Sequence, residues 1–210
     1  MRRLAFSLAV SLSIGVLATA CAPGPSESAG ASASANPIGV SFAVPDVSPT
    51  PEITLQPVDI SNWWMVAPVG LGFGLAFPGP ATAGSTTIAG LGAHAALWTY
   101  RDPAYRVYQL ARIRLPAGAV TSDLVATMGR LAAATLPGMV PGGQIVKRSD
   151  VTTDGRLGTR FLVNGTSATV EGVLVLDNTI LYRVSVTYDP TKPDRADLEA
   201  FVANFSLITL

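Results

Sequence analysis

Few residues in this chain could do covalent or metal chemistry. Its one cysteine is Cys21 and its one histidine is His94. A single thiol forms no intramolecular disulfide and no C-x-x-C redox or zinc motif. A Ser-His-Asp arrangement would need His94 as its base, with a loop carboxylate such as Asp150 or Asp154 beside it, and no G-x-S-x-G elbow presents a serine. With no second histidine a zinc site is not expected, and no motif calls for a cofactor. A structural or solvent-exposed His94 is the simpler reading. The position of Cys21 carries more information than its reactivity.

Residues 1–20 have the three parts of an export signal: Arg2 and Arg3, an apolar run from Leu4 to Leu17, and small residues before Cys21. The run is short for a membrane span, which needs about 20 apolar residues. Leu17-Ala18-Thr19-Ala20-Cys21 resembles a bacterial lipobox, in which the leader is cut before a cysteine whose sulfur receives a diacylglycerol. The usual leucine position is taken here by Ala18, with Leu17 one residue earlier. Ala18-Thr19-Ala20 is also an A-x-A site for ordinary signal peptidase, which would cut the same bond. Both readings give one mature N-terminus, and they differ in whether Cys21 carries a lipid.

From Ala22 to Asn36 the chain is built of Ala, Ser, Gly and Pro with one charge, Glu27. It cannot supply a core and is expected to be a flexible tether with an r.m.s. span of about 20 Å. The expected organisation is a signal peptide over 1–20, the lipidated cysteine and tether over 21–52, and one globular domain over 53–210. Such a domain is long enough to bury about 70% of its unfolded surface. Without Arg2 and Arg3 the fourteen basic residues become twelve against fourteen acidic ones, a balance of −2. That balance argues against nucleic acid as a partner.

The elements that would position a site begin with an alternating arm, Ile38 to Val44, confined to an edge by the prolines after it. Trp63 and Trp64 follow. On an extended chain they must point apart, so one can join a core and the other can serve a partner or ligand groove. Gly70-x-Gly72-x-Gly74 leads into a strand, Leu71 to Phe77, that ends at Pro78-Gly79-Pro80. A dinucleotide fingerprint needs a helix there, so nucleotide binding is rejected. Strands are expected over Ala95–Tyr100 and Ala104–Leu115. In the second, Arg106, Tyr108, Arg112 and Arg114 share one face and form a basic stripe, either solvated or turned toward an acidic or anionic partner.

Thr121 or Ser122 is placed to cap a helix to Leu136, with Leu124, Met128, Leu131 and Thr135 as its packing stripe. A strand from Gln144 to Arg148 leads to the most ordered stretch. Arg156–Val163, Ser167–Leu176 and Thr179–Tyr188 read as three antiparallel strands joined at Asn164-Gly165 and Asp177-Asn178, dipeptides that tolerate the positive φ of tight turns. A terminal helix carries Leu198, Phe201, Val202 and Phe205 as a narrow apolar stripe, which must lie on the sheet. The fold class expected is α+β.

Phe73-Gly-Leu-Ala-Phe-Pro-Gly-Pro80, Tyr105-Arg-Val-Tyr108, the middle helix, the hairpins and Phe201-x-x-x-Phe205-Ser-Leu resemble the PsbP-like fold family over Trp63 to Leu210. The resemblance implies a central antiparallel sheet with helices packed on its two faces. It also implies kinship with small bacterial lipoproteins of the actinobacterial LpqN type, whose leader and tether are similar. Family members mostly bind and support larger assemblies, and no common catalytic motif carries over. The expectation is a non-enzymatic protein held on the extracytoplasmic face of the cell membrane by a diacylglycerol on Cys21. It would bind an envelope protein or a small apolar ligand through Trp63, Trp64, Arg106, Tyr108, Arg112 and Arg114. The alternatives are an envelope hydrolase using His94 or the carboxylates of Asp150 and Asp154, and a lipid carrier with an apolar cavity between sheet and helix.

Overall fold

Tight turns set the register of the main sheet. A computed structural model describes residues 58–192 and 195–208 of the chain, all within the unit Pro51–Leu210. The expected leader, Cys21, the tether and the alternating arm at Ile38–Val44 lie outside the described residues. Strands β1 (Trp64–Val66) and β2 (Phe73–Phe77) come first, then β3 (Thr82–Ile88), β4 (Ala93–Arg101) and β5 (Val107–Arg114). Helix α1 (Leu124–Thr135) runs into a 3-10 turn at Pro137–Met139. Strands β6 (Gln144–Thr153), β7 (Arg156–Asn164), β8 (Thr169–Asp177) and β9 (Ile180–Tyr188) precede α2 (Arg195–Ala203) and the short β10 (Ser206–Leu207).

The three expected hairpin strands are β7, β8 and β9, but β7 and β8 are joined by a four-residue loop, 165–168, with no positive φ at Asn164 or Gly165, rather than by a tight Asn-Gly turn. Asn178 sits in the left-handed region at φ 53°, as its place in the two-residue turn between β8 and β9 requires. Asp154-Gly155, with φ 48° and 73°, makes a second such turn and joins β6 to β7. As a result β6 extends to Thr153 rather than ending at Arg148. The main sheet has seven strands in the order β3-β4-β5-β9-β8-β7-β6, with every neighbouring pair antiparallel. β3 was not foreseen. It is an edge strand, and all but Ile88 of its seven residues are exposed, so it carries no apolar alternation.

Both faces of the main sheet are covered. On one face α1 packs Met128, Leu131 and Ala132 against Ala111, Ile113, Phe161 and Leu174. The α1 cap is Asp123, whose Oδ1 accepts the Ala126 N–H at 2.9 Å, and neither Thr121 nor Ser122 serves. Leu124 stands at the first helical position, ahead of the sheet, and is exposed rather than part of the stripe.

On the other face lie α2 and a three-stranded sheet in the order β1-β2-β10. Leu198 and Phe201 of the expected stripe are buried and Val202 is half-buried, while Phe205, also buried, lies past the end of the helix. The Phe201 ring lies 5.1 Å from each of the Phe77 and Tyr108 rings and 6.5 Å from Trp63, so it touches the small sheet and the main sheet at once. Asn204 fastens the end of α2. Its Oδ1 accepts the Ala76 N–H at 2.6 Å, and its Nδ2 reaches the carbonyls of Ala76, Ala200 and Phe201 at 3.0–3.3 Å. The amide thus stands in for a strand neighbour of β2. Truncating the shared ring, Phe201→Ala, is expected to cost about 3–5 kcal/mol. Urea unfolding would show this as a lower midpoint at an unchanged slope.

Candidate functional site

The residues expected to form a surface fall into three environments. Trp63 is half-buried against Phe201, while its neighbour Trp64 is 58% exposed, so the pair divides as adjacent residues of an extended chain must. Close to Trp64 in the chain, Met65 is 68% exposed. A side chain at Gly74 would come within 4.0 Å of Ser206, Ile208 and Met65, so the glycine leaves Met65 and Ile208 together on the outer side of the small sheet.

The basic stripe of β5 is largely not a surface. Its alternation is as expected, but α2 and the small sheet cover the face it occupies. Tyr108 and Leu110 are in the core there. Arg106, in the loop ahead of the strand, donates from Nε to Asp102 and lies 3.0 Å from Asp197 of α2, tying the helix to the β4–β5 loop. Burial alone would lower its pKa, but the Asp102 hydrogen bond and the charges around it hold it above the ordinary value. Arg112 is half-buried with its Nε unpartnered, and Arg114 is exposed.

His94 and the loop carboxylates are not brought together. His94 is exposed on β4 with Nδ1 3.4 Å from the Thr87 hydroxyl. Asp150 on β6 accepts from Thr159 at 3.4 Å, and Asp154 accepts the Leu207 N–H at 2.7 Å, both at the far edge of the sheet from β4.

Sequence reasoning missed Arg183. Its alternation with Ser185 and Thr187 on β9 reads as a polar face. Yet β9 is the middle strand of the sheet, flanked by β5 and β8, and both of its faces are covered. Arg183 therefore sits on the α1 side between Ala111 and Leu174, only 6% exposed. Its Nη2 donates to Gln109 Oε1 at 2.9 Å, and Gln109 Nε2 in turn donates to the Thr99 hydroxyl at 3.4 Å. Its Nε is buried with no partner, and among the described residues no carboxylate pairs with it. Burial alone pulls its pKa down to about 10, which leaves it charged at neutral pH.

Arg183 faces a cavity of about 310 Å³ beyond the C-terminal end of α1, lined also by Thr86, Thr87, Leu97, Thr135 and Met139. The turn from β3 to β4 forms one wall. Gly90 is required there, because a Cβ would fall 1.9 Å from the Ala134 carbonyl oxygen. Thr135 donates its proton to the Leu131 carbonyl at 2.7 Å and so can only accept toward the cavity. Leu97 also lines a shallower depression with Thr82, Thr99 and Tyr100. The arrangement offers a fixed cation and the hydroxyl of Thr86 in a partly apolar pocket, which is chemistry for holding an anion.

No protein-family model matches the chain, and no curated protein does. Among solved structures the chain is similar to the solution structure of cyanobacterial PsbP (CyanoP) from Synechocystis sp. PCC 6803. The identity is 10% and the TM-score 0.48, over 69% of this chain and 91% of that one. It is also similar to PA94, a protein of unknown function from Pseudomonas aeruginosa, at 14% identity and a TM-score of 0.34 over 61% and 84% of the two chains. The likeness concerns fold alone.

An isolated buried cation opposes folding. Because the folded-state pKa of Arg183 lies below its ordinary value, its charged form costs stability at every pH below about 10, and that cost falls as the pH rises through this value. Replacing it by an apolar side chain of similar length, Arg183→Met, is expected to leave the ligand-free protein as stable or more stable by about 1–3 kcal/mol. Urea unfolding at pH 7 would read this directly. A loss of stability would mark Arg183 as a structural residue.

Proposed function

We propose that the protein is a non-catalytic binding module, held on the extracytoplasmic face of a membrane by a diacylglycerol on Cys21, that takes a small ligand into the cavity beside Arg183. The observation that carries the binding reading is the uncompensated guanidinium facing that cavity. A group that weakens the fold where it stands is better explained by a ligand than by packing. The cavity is within the size range of small-molecule sites, and its mixed lining suits an amphiphilic ligand better than the wholly apolar one expected from the sequence. The anchoring reading rests on the leader, the solitary Cys21 and the tether that follows it.

A second reading has its own support. Met65 and Ile208 expose large apolar side chains together on the outer side of the small sheet, with Trp64 exposed at its edge, and such a surface is the kind on which an envelope protein would dock. A hydrolase is less well supported, because His94 and Asp150 lie on opposite sides of the seven-stranded sheet.

Labelling cells with a fatty acid and fractionating them tests the anchor. Wild type is expected to carry label and sediment with membranes, and Cys21→Ala to lose both. Label retained on the variant would refute lipidation. In-cell photocrosslinking from position 64 separates the two binding readings. A docked protein would give a discrete adduct that Met65→Asp removes and Arg183→Met leaves intact.

A further inference from the structure

We infer that the ligand of the Arg183 cavity is a small monocarboxylate with a short apolar chain, an assignment that rests on the binding reading above and names its ligand class. The first argument is charge. Arg156 pairs with Asp177, Arg160 with Glu171 and Glu199, and Arg106 with Asp102 and Asp197, whereas Arg183 is more deeply buried than these and faces no carboxylate among the described residues. Among the side chains that line the cavity Arg183 is the only charged one, so one negative charge balances the site. A dianion, such as sulfate or the doubly charged form of phosphate, would leave a charge uncompensated in a poorly solvated place.

The second argument is geometry. The planar guanidinium matches a carboxylate in two parallel hydrogen bonds, and such charge-assisted pairs are the strong ones. Gln109 holds one edge of the guanidinium through Nη2, and Thr99 holds Gln109, so the fork is oriented before any ligand arrives. The third argument is the lining. Leu97, Ile88 and Met139 supply apolar contact for a chain, and the hydroxyl of Thr86, which shares the α1 side of the sheet with Ala95, can donate to a carboxylate oxygen. A six-carbon acid is of a size to enter a cavity of about 310 Å³.

The probes are hexanoate, its neutral twin hexanamide, and inorganic phosphate, titrated by calorimetry into the purified Cys21→Ala chain. Hexanoate is expected to bind saturably, and hexanamide about tenfold or more weakly, the loss of one charge-assisted pair. Arg183→Met is expected to abolish hexanoate binding while keeping the circular dichroism of the parent, and Arg183→Lys to weaken it. Equal binding of hexanoate and hexanamide, both lost when Leu97→Trp fills the cavity, would overturn the carboxylate assignment and leave the binding reading standing. Phosphate binding that depends on Arg183, without hexanoate binding, would also overturn it. Failure of all three probes would reject the assignment together with the small-ligand reading.

Discussion

The central sheet is buried on both faces, and most of what this molecule does follows from that constraint. In an antiparallel sheet with one wet face, alternate residues divide into core and solvent. Here the alternate residues of β5, β8 and β9 divide into two separate cores, one under α1 and one under α2 and the small sheet. Tyr108, Tyr182, Val184 and Val186 enter the second core, and Ala111, Leu174 and Leu181 enter the first. No position along the middle of these strands can be polar without being buried. Arg183 and Ser185 are the positions where this rule is strained.

The two cores are closed by different means. The α2 side is filled by interlocked aromatic rings, with Phe73 edge-on to Trp98 at 5.0 Å and Phe201 edge-on to Phe77 at 5.1 Å. Ion pairs then fix where α2 lies. Arg160 joins Glu171 of β8 to Glu199 of the helix, and Arg106 reaches Asp197. These pairs are partly exposed and contribute little each, so they orient a helix that apolar burial has already attached. The α1 side is filled only as far as the helix extends. Past Thr135 the chain turns through Pro137–Met139, and the sheet beyond that point, from β3 to β9, is roofed incompletely. The cavity is the space left there.

What could be read from the sequence follows the same division. The hairpin strands were legible because their apolar residues recur and the turn between β8 and β9 carries Asp-Asn, and the α2 stripe because Leu198 and Phe201 stand at helical spacing. Both edge strands were poorly legible for a physical reason. β3 and most of β6 expose their side chains, so neither needs an apolar pattern, and Asp154-Gly155 was the missed mark of the end of β6. The role of Arg183 could not be read at all from local pattern. A polar residue alternating with apolar ones has the same signature on a solvated face and in a buried middle strand, and only the order of strands tells them apart.

That order also decides how the arginines should be understood. The sequence drew attention to Arg106, Arg112 and Arg114 because they lie close together, and clustering suggested a surface for an anionic partner. Position in the fold sorts them otherwise. Arg106 is matched by two carboxylates and belongs to the support of α2, and Arg114 is solvated. A charge that water or a carboxylate already satisfies has little to gain from a ligand. Arg183 has neither, and its one hydrogen bond, to a neutral amide, orients it without balancing it. The free energy still to be gained by an incoming anion is therefore greater at Arg183 than at Arg106 or Arg114, and the unfilled space past the end of α1 lies directly against it.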